Sequence, residues 1–308
     1  MTTTATLTPS TLHRLRTAAQ DIKLSHSIFA LPFALLAAFL AAAAAGQLPD
    51  IVAIILIVVC MVLGRTVAMA TNRWADAGLD AKNPRTAKRA IPSGRLSAPF
   101  MLGVAICGAA TFVVATSGFW LLSNNPWPVV LSPLVLAWLV GYSFTKRFTF
   151  LCHLFLGFAL ALSPLAAAIA INPAFLSQAD PYMLALMVAC WVAGFDVIYA
   201  LQDTHVDRVT DVHSMPARLG ARRALVVGAV LHSISAAALV AMVAISSQLR
   251  WAFATGTGLV ILLLLVQHTL VWTTGRRHIQ MAFFTLNGVI SLVLGALGIA
   301  DVVWRVGG

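Results

Sequence analysis

The chain has 308 residues, of which 60% are hydrophobic and 10% charged, with no Glu and a mean hydropathy of +0.91. A soluble domain of this length would be about a quarter charged, so the composition excludes one and points to a polytopic membrane protein. The formal charge of +10 does not mark a nucleic-acid binder, because the basic residues sit in loops between apolar runs, where orientation in a bilayer explains them.

The first 20 residues lack an apolar core and a small-residue cleavage site, so no cleaved leader is expected. Residues 1–22 are read as a cytoplasmic N-terminal segment, and 23–308 as one transmembrane domain. Apolar runs recur at roughly 24–45, 51–71, 97–119, 127–144, 149–171, 181–202, 222–247, 251–273 and 279–304, which predicts nine spanning helices of about 20 residues each. Turn signals punctuate the short connections: Gly46 to Pro49, Asn124-Asn125-Pro126, Asn172-Pro173 and Asp180-Pro181. Pro32 and Pro164 are expected to kink spans 1 and 5. The four cysteines lie singly in apolar runs and read as small hydrophobes. His153, His232 and His268 lie far apart without ligand spacing and read as packing or pore-facing residues; His26, at the mouth of span 1, reads as an interfacial residue.

Seventeen of the 20 Lys and Arg fall on one side of this arrangement, Arg250 and Arg305 on the other, and Arg65 within span 2. The expected topology is therefore a multi-pass plasma (inner) membrane protein with a cytoplasmic N-terminus and an external C-terminus.

Six of the ten Asp lie at 76–80 or 196–211. Asn72, Asp76 and Asp80 follow one four-residue rhythm; Tyr199, Asp203 and Asp207 repeat it 127 residues later, with Asp211 beyond. On a helix such residues share a face, roughly 5–6 Å apart at Cβ. Both ladders fall at the cytoplasmic ends of spans 2 and 6, and the constant offset suggests an internal duplication. Clustered carboxylates at membrane depth are expensive and by default functional. A hard dication such as Mg²⁺, which takes one or two carboxylates plus substrate phosphates, accounts for them. Lys82, Arg85, Lys88 and Arg89 follow directly and suit a diphosphate bridging the same metals. Such a site inside an apolar bundle points to an isoprenoid diphosphate.

The segments NRWADAGLDAKNPRTAKRAIPSG, YSFTKRFT and DVIYALQDTHVDRVTDVHSMPARLG resemble the UbiA superfamily of intramembrane aromatic prenyltransferases. The similarity runs over essentially the whole chain from Ile22. It is nearest the 4-hydroxybenzoate polyprenyltransferase branch, including a subgroup proposed to serve menaquinone synthesis by the futalosine route. The resemblance implies an all-α fold of about nine transmembrane helices around a central cavity. It also implies Mg²⁺ dependence and transfer of a polyprenyl group from its diphosphate to a ring carbon of an aromatic acid, in ubiquinone or menaquinone synthesis. On this resemblance Asn72, Asp76, Asp80, Asp203 and Asp207 are metal ligands, Tyr199, one turn before the second set, is a candidate catalytic residue, and Lys146 and Arg147 face the diphosphate or the acceptor carboxylate.

Asp196 lies seven residues before Asp203, two turns deeper on the same helix face. It is expected to stabilise the prenyl cation or take the ring proton. The other expected partners are a polyprenyl diphosphate, an aromatic acid and the bilayer. The rival acceptor is a dihydroxynaphthoate-type acid, and contact with the acceptor is the alternative to the interfacial reading of His26. A transporter is the rival class; it would carry its acids near the bilayer middle, whereas these lie at one rim.

Overall fold

The computed structural model describes residues 10–23, 27, 29–275, 279 and 282–307. Among these, every regular element is helical. A short surface helix α1 (Thr11–Asp21) is followed by α2 (Leu31–Ala43), α3 (Ile51–Ala75), α4 (Ala77–Lys82), α5 (Ala98–Ser123), α6 (Trp127–Thr145) and α7 (Cys152–Ile171). A second series runs α8 (Asp180–Ala200), α9 (Thr204–Val209), α10 (Met215–Leu219), α11 (Ala221–Ile245) and α12 (Trp251–Thr274). A π-helical turn, Ala282–Leu286, leads into α13 (Asn287–Gly307).

Among the described residues, eight stretches are long and apolar enough to cross a membrane: α3, α5, α6, α7, α8, α11, α12 and the one ending in α13. Of the first expected span, residues 24–26 and 28 lie outside the described residues, and the described part forms α2, whose 13 residues reach about 20 Å. Its sequence LPFALLAAFLAAA is apolar on every side, and most of it is buried, with Leu31, Pro32, Leu35, Phe39 and Ala43 partly exposed along one stripe. It packs on α7, α13, α3 and α8, and with α8 fills the centre of the bundle. Pro32 lies in the first turn of α2, where a missing N–H costs nothing, so it introduces no kink there. Pro164 does lie inside α7, and Pro133 inside α6.

Aspartates outside the two ladders fasten the frame. Asp50 caps α3 by accepting from the N–H groups of Val52 and Ala53. Asp301 on α13 accepts from Arg250, Ala252 and Phe253, capping α12. Asp21 accepts from the Ala90 N–H and pairs with Arg73, a buried cation on the last turn of α3. That pair joins Ala18 and Ile22, packed against Ala70, Ala90 and Leu96, in docking α1 at the ladder end of the bundle. The C-terminal end of α13 lies at the opposite end, beside the start of α12. His26, Arg276 and Arg277 lie outside the described residues. The described cysteines are all free; Cys190 is buried and Cys107 exposed.

Candidate active site

Each acidic ladder is a long helix interrupted once. Asp76 ends α3 and opens the six-residue α4; Asp203 stands between α8 and the six-residue α9. Their backbones match, φ −92°, ψ 2° and φ −100°, ψ 0°, in the sparsely populated bridge region where many active-site residues sit. One-turn spacing survives the break, because Asp80 N–H bonds Asp76 C=O and Asp207 N–H bonds Asp203 C=O, each at 2.8 Å.

Cations and amides from elsewhere in the chain join the two ladders. Arg85, on the loop after α4, grips Asp203 with Nε at 2.9 Å and Nη2 at 2.5 Å. Its Nη1 donates to the Tyr199 hydroxyl at 3.2 Å, and its guanidinium stands 5.3 Å from that ring's centre. Asn83 Nδ2 donates to the same Asp203 at 2.9 Å. Asp76, only 1% exposed, pairs with Lys146 and, at 3.4 Å, with Arg147, and accepts from Asn72 Nδ2 at 2.9 Å. Arg89 forks onto both oxygens of Asp80, at 2.7 and 2.8 Å. The two sets are tied again through the backbone, where the His213 N–H bonds the Lys146 carbonyl at 2.8 Å.

Asp207 has no cation partner among the described residues and accepts only from the Ser214 hydroxyl, at 2.7 Å. Burial raises its pKa against the lowering effect of that bond.

The expected ligands therefore divide. Asn72, Asp76, Asp80, Tyr199, Asp203, Asp207, Arg85, Arg89, Lys146 and Arg147 converge. Lys82 and Lys88 do not: both are exposed and make no ion pair among the described residues, because the loop turns their side chains to solvent. Asp211 is exposed at φ 54°, past the end of α9, and does not extend the ladder. Asp196 hydrogen-bonds His153 on α7 at 2.6 Å. His232 and His268 form their own pair at 2.8 Å.

Three participants were not assigned from sequence. Asn83 lies in the Asn-Pro-Arg-Thr stretch and had a signal. His153 had none, being one polar residue on an apolar helix. Arg65 was noticed only as a charge inside a span. It lines a cavity of about 530 Å³ bounded by α3, α5, α6 and α7. The cavity runs from Arg65, Met69 and Tyr142 near the ladders to Phe119, Pro128 and Ile169 near the far ends of their helices, and its walls are overwhelmingly apolar. Ser132 and Leu134, flanking Pro133, and Ser163 and Leu165, flanking Pro164, belong to that wall. The Arg65 Nη2 donates to the Lys23 carbonyl, while its buried Nε has no partner among the described residues.

Among the described residues no three His, Cys or Asp side chains come together to cage a metal. Mg²⁺ needs no such cage: one or two carboxylates, water and substrate phosphates suffice. Each ladder offers two hard carboxylates one turn apart, and of the four only Asp207 makes no ion pair among the described residues. This donor set fits Mg²⁺ shared with a phosphate-bearing substrate.

Known proteins share this chain's sequence pattern and fold. The 4-hydroxybenzoate octaprenyltransferase of Shewanella loihica is 28% identical over 82% of this chain and 86% of its own length. A UbiA homologue from Aeropyrum pernix K1, solved in its apo form, superposes with a TM-score of 0.81 at 30% identity, covering 90% of this chain and 98% of that one. A homologue from Archaeoglobus fulgidus, solved with DMAPP and Mg²⁺, shares the fold at 16% identity and a TM-score of 0.68, over 93% of this chain and 99% of that one. Residues 30–289 match the UbiA prenyltransferase family. With most of its length so matched, this chain belongs to the UbiA prenyltransferase family.

Proposed function

We propose that the chain transfers a polyprenyl group from its diphosphate to a ring carbon of an aromatic acid of the 4-hydroxybenzoate type, at the cytoplasmic face of a bacterial inner membrane. The observation that carries this reading is the joining of two acidic pairs by Asn83, Arg85 and Lys146 beside the mouth of an apolar cavity. The names and ligands of the Shewanella and Archaeoglobus relatives support it.

Asp76, Asp80, Asp203 and Asp207 would hold Mg²⁺, which when bound supplies positive charge to the departing diphosphate. Arg85, Arg89, Lys146 and Arg147 stand among these carboxylates and present N–H donors where phosphate oxygens gather. Their fixed charges favour the bond-breaking state, in which negative charge builds on the leaving group. The cavity takes the apolar prenyl chain and excludes water from the electron-poor allylic carbon. Arg65 at its rim meets the carboxylate of the acceptor. The allylic C–O bond breaks, diphosphate leaves with the electron pair, the ring carbon forms the new C–C bond, and Asp196 takes the displaced ring proton.

The test is mass spectrometry of purified protein incubated with a prenyl diphosphate, Mg²⁺ and a panel of aromatic acids, with a parallel reaction in EDTA. A prenylated acid that forms only with Mg²⁺ is expected. Exclusive use of dihydroxynaphthoate would move the acceptor class. No prenylated acid from any member of the panel would overturn the reading.

A further inference from the structure

Helices α7 and α8 run antiparallel in close contact. A Cβ at Gly157 would stand 2.2 Å from the Ala189 carbonyl oxygen, so only glycine permits this approach. One turn from Gly157 is His153, which is 4% exposed and lies against Asp196 on α8. Its two ring nitrogens have different partners. The Met215 N–H, at the start of α10, points at Nε2 at 3.2 Å. That nitrogen must therefore carry the lone pair, so the proton sits on Nδ1 and is donated to Asp196 Oδ2 at 2.6 Å.

The segment supplying the Met215 N–H also anchors the second ladder. Ser214 donates to Asp207, His213 N–H bonds the Lys146 carbonyl, and the Cys152 thiol donates to the His213 carbonyl at 3.3 Å. His153 is thus the ring through which the second acidic ladder and Asp196 are held in register. Asp196 remains 25% exposed, and its other carboxylate oxygen makes no hydrogen bond among the described residues.

We propose that His153 is a positioning residue for prenyl transfer: as the Nδ1–H tautomer it fixes one oxygen of Asp196, aims the other at the acceptor, and ties that geometry to the loop carrying Asp207. A ring locked between two helices and a loop backbone restricts Asp196 to one rotamer, as a second partner does for a general base. This rests on the prenyltransferase reading above, and in particular on Asp196 as the proton acceptor.

The test uses the full-length protein, a prenyl diphosphate, and whichever panel acid the wild type prenylates. A wild type active on none would sink the functional reading; an active wild type isolates the role of His153. His153→Leu should lower kcat at least about tenfold, with the KM for prenyl diphosphate changed less than about twofold. His153→Gln, whose amide can donate to Asp196 and accept from Met215, should recover most of the rate. In an Asp196→Asn background, followed by single-turnover product formation, His153→Leu should cost less than about a further twofold, because the two residues act as one unit. Losses that multiply in full, or a His153→Leu enzyme with wild-type kcat, would overturn the proposal. Should His153→Leu fail to fold, the Gln variant decides alone: a kcat tenfold down in a protein with wild-type thermal stability would reject the role, and near-normal turnover would support it.

Discussion

Asp76 and Asp203, 127 residues apart, each open a six-residue helix just past a long one: Asp76 closes α3 directly, and Asp203 stands three residues beyond the end of α8. Their surroundings are not equivalent. Asp76 is almost sealed, beneath Lys146 and Arg147, whereas Asp203 is more open and held by Arg85, itself about a third exposed. Removing one partner of a buried pair leaves an uncompensated charge, whereas a more exposed pair is screened by water. Asp76→Ala should therefore cost about 2–3 kcal/mol of stability and Asp203→Ala about 1 kcal/mol. Both should reduce turnover at least about 100-fold, the order seen when a charge-stabilising group is lost. Thermal unfolding in detergent alongside a turnover assay separates the two effects; equal stability losses would contradict the asymmetry.

Asp207 should show the opposite balance. Its raised pKa means that the ionised carboxylate is disfavoured in the folded state, chiefly by burial. The charge therefore costs stability in full once the pH stands above the folded value, and that cost disappears as the pH falls below the unfolded one. Asp207→Asn removes the charge and can still accept from Ser214. The variant should unfold at the same or a higher temperature than wild type at neutral pH, with the difference vanishing toward pH 3–4, yet lose turnover. A variant that unfolds earlier at pH 7 would show that the carboxylate contributes net stability.

Local information made the ladders and the spans legible before any fold was known. Hydropathy windows located the long helices, and a four-residue spacing located the acids that share a face. Contacts made across long separations were not legible. Asn83 reaches Asp203 over 120 residues, Arg73 meets Asp21 over 52, and His153 meets Asp196 over 43. Each depends on which helices pack together, and the Gly157 crossing that sets the last of these looks in sequence like any glycine in an apolar run. The same limit explains α2, whose uniform apolarity marks burial equally well in a bilayer or in a protein core. It also explains Lys82 and Lys88, whose positions near an acidic ladder said nothing about which way the loop turns them.

The basic loop after α4 should accordingly divide by function. Arg85 makes two bonds to Asp203, one to Tyr199 and a contact with its ring. A lysine offers a point charge and cannot reproduce that fork. Arg85→Lys should raise the KM for prenyl diphosphate at least about tenfold, whereas Lys82→Ala and Lys88→Ala should change it less than about twofold, as for solvated charges. Steady-state kinetics at constant ionic strength decide this. A large KM effect at Lys88 would mean that the loop closes over the substrate.

Arg65 leads to a different kinetic signature. A cation inside a span costs about 2.5–3.5 kcal/mol on insertion scales, and this one lies on a cavity wall where, among the described residues, its Nε and the Ser27 hydroxyl have no partner. Its one hydrogen bond to a described residue is to the Lys23 carbonyl. A planar guanidinium at that depth matches a carboxylate in two parallel bonds, and of the two proposed substrates only the aromatic acid carries one. Arg65→Met keeps the side chain's length and removes its charge. It should raise the KM for the aromatic acid at least about tenfold while leaving that for prenyl diphosphate within about twofold, with no loss of thermal stability. A parallel rise in both KM values would place Arg65 with the diphosphate instead, and an unchanged KM for the acid would move the acceptor away from this wall of the cavity.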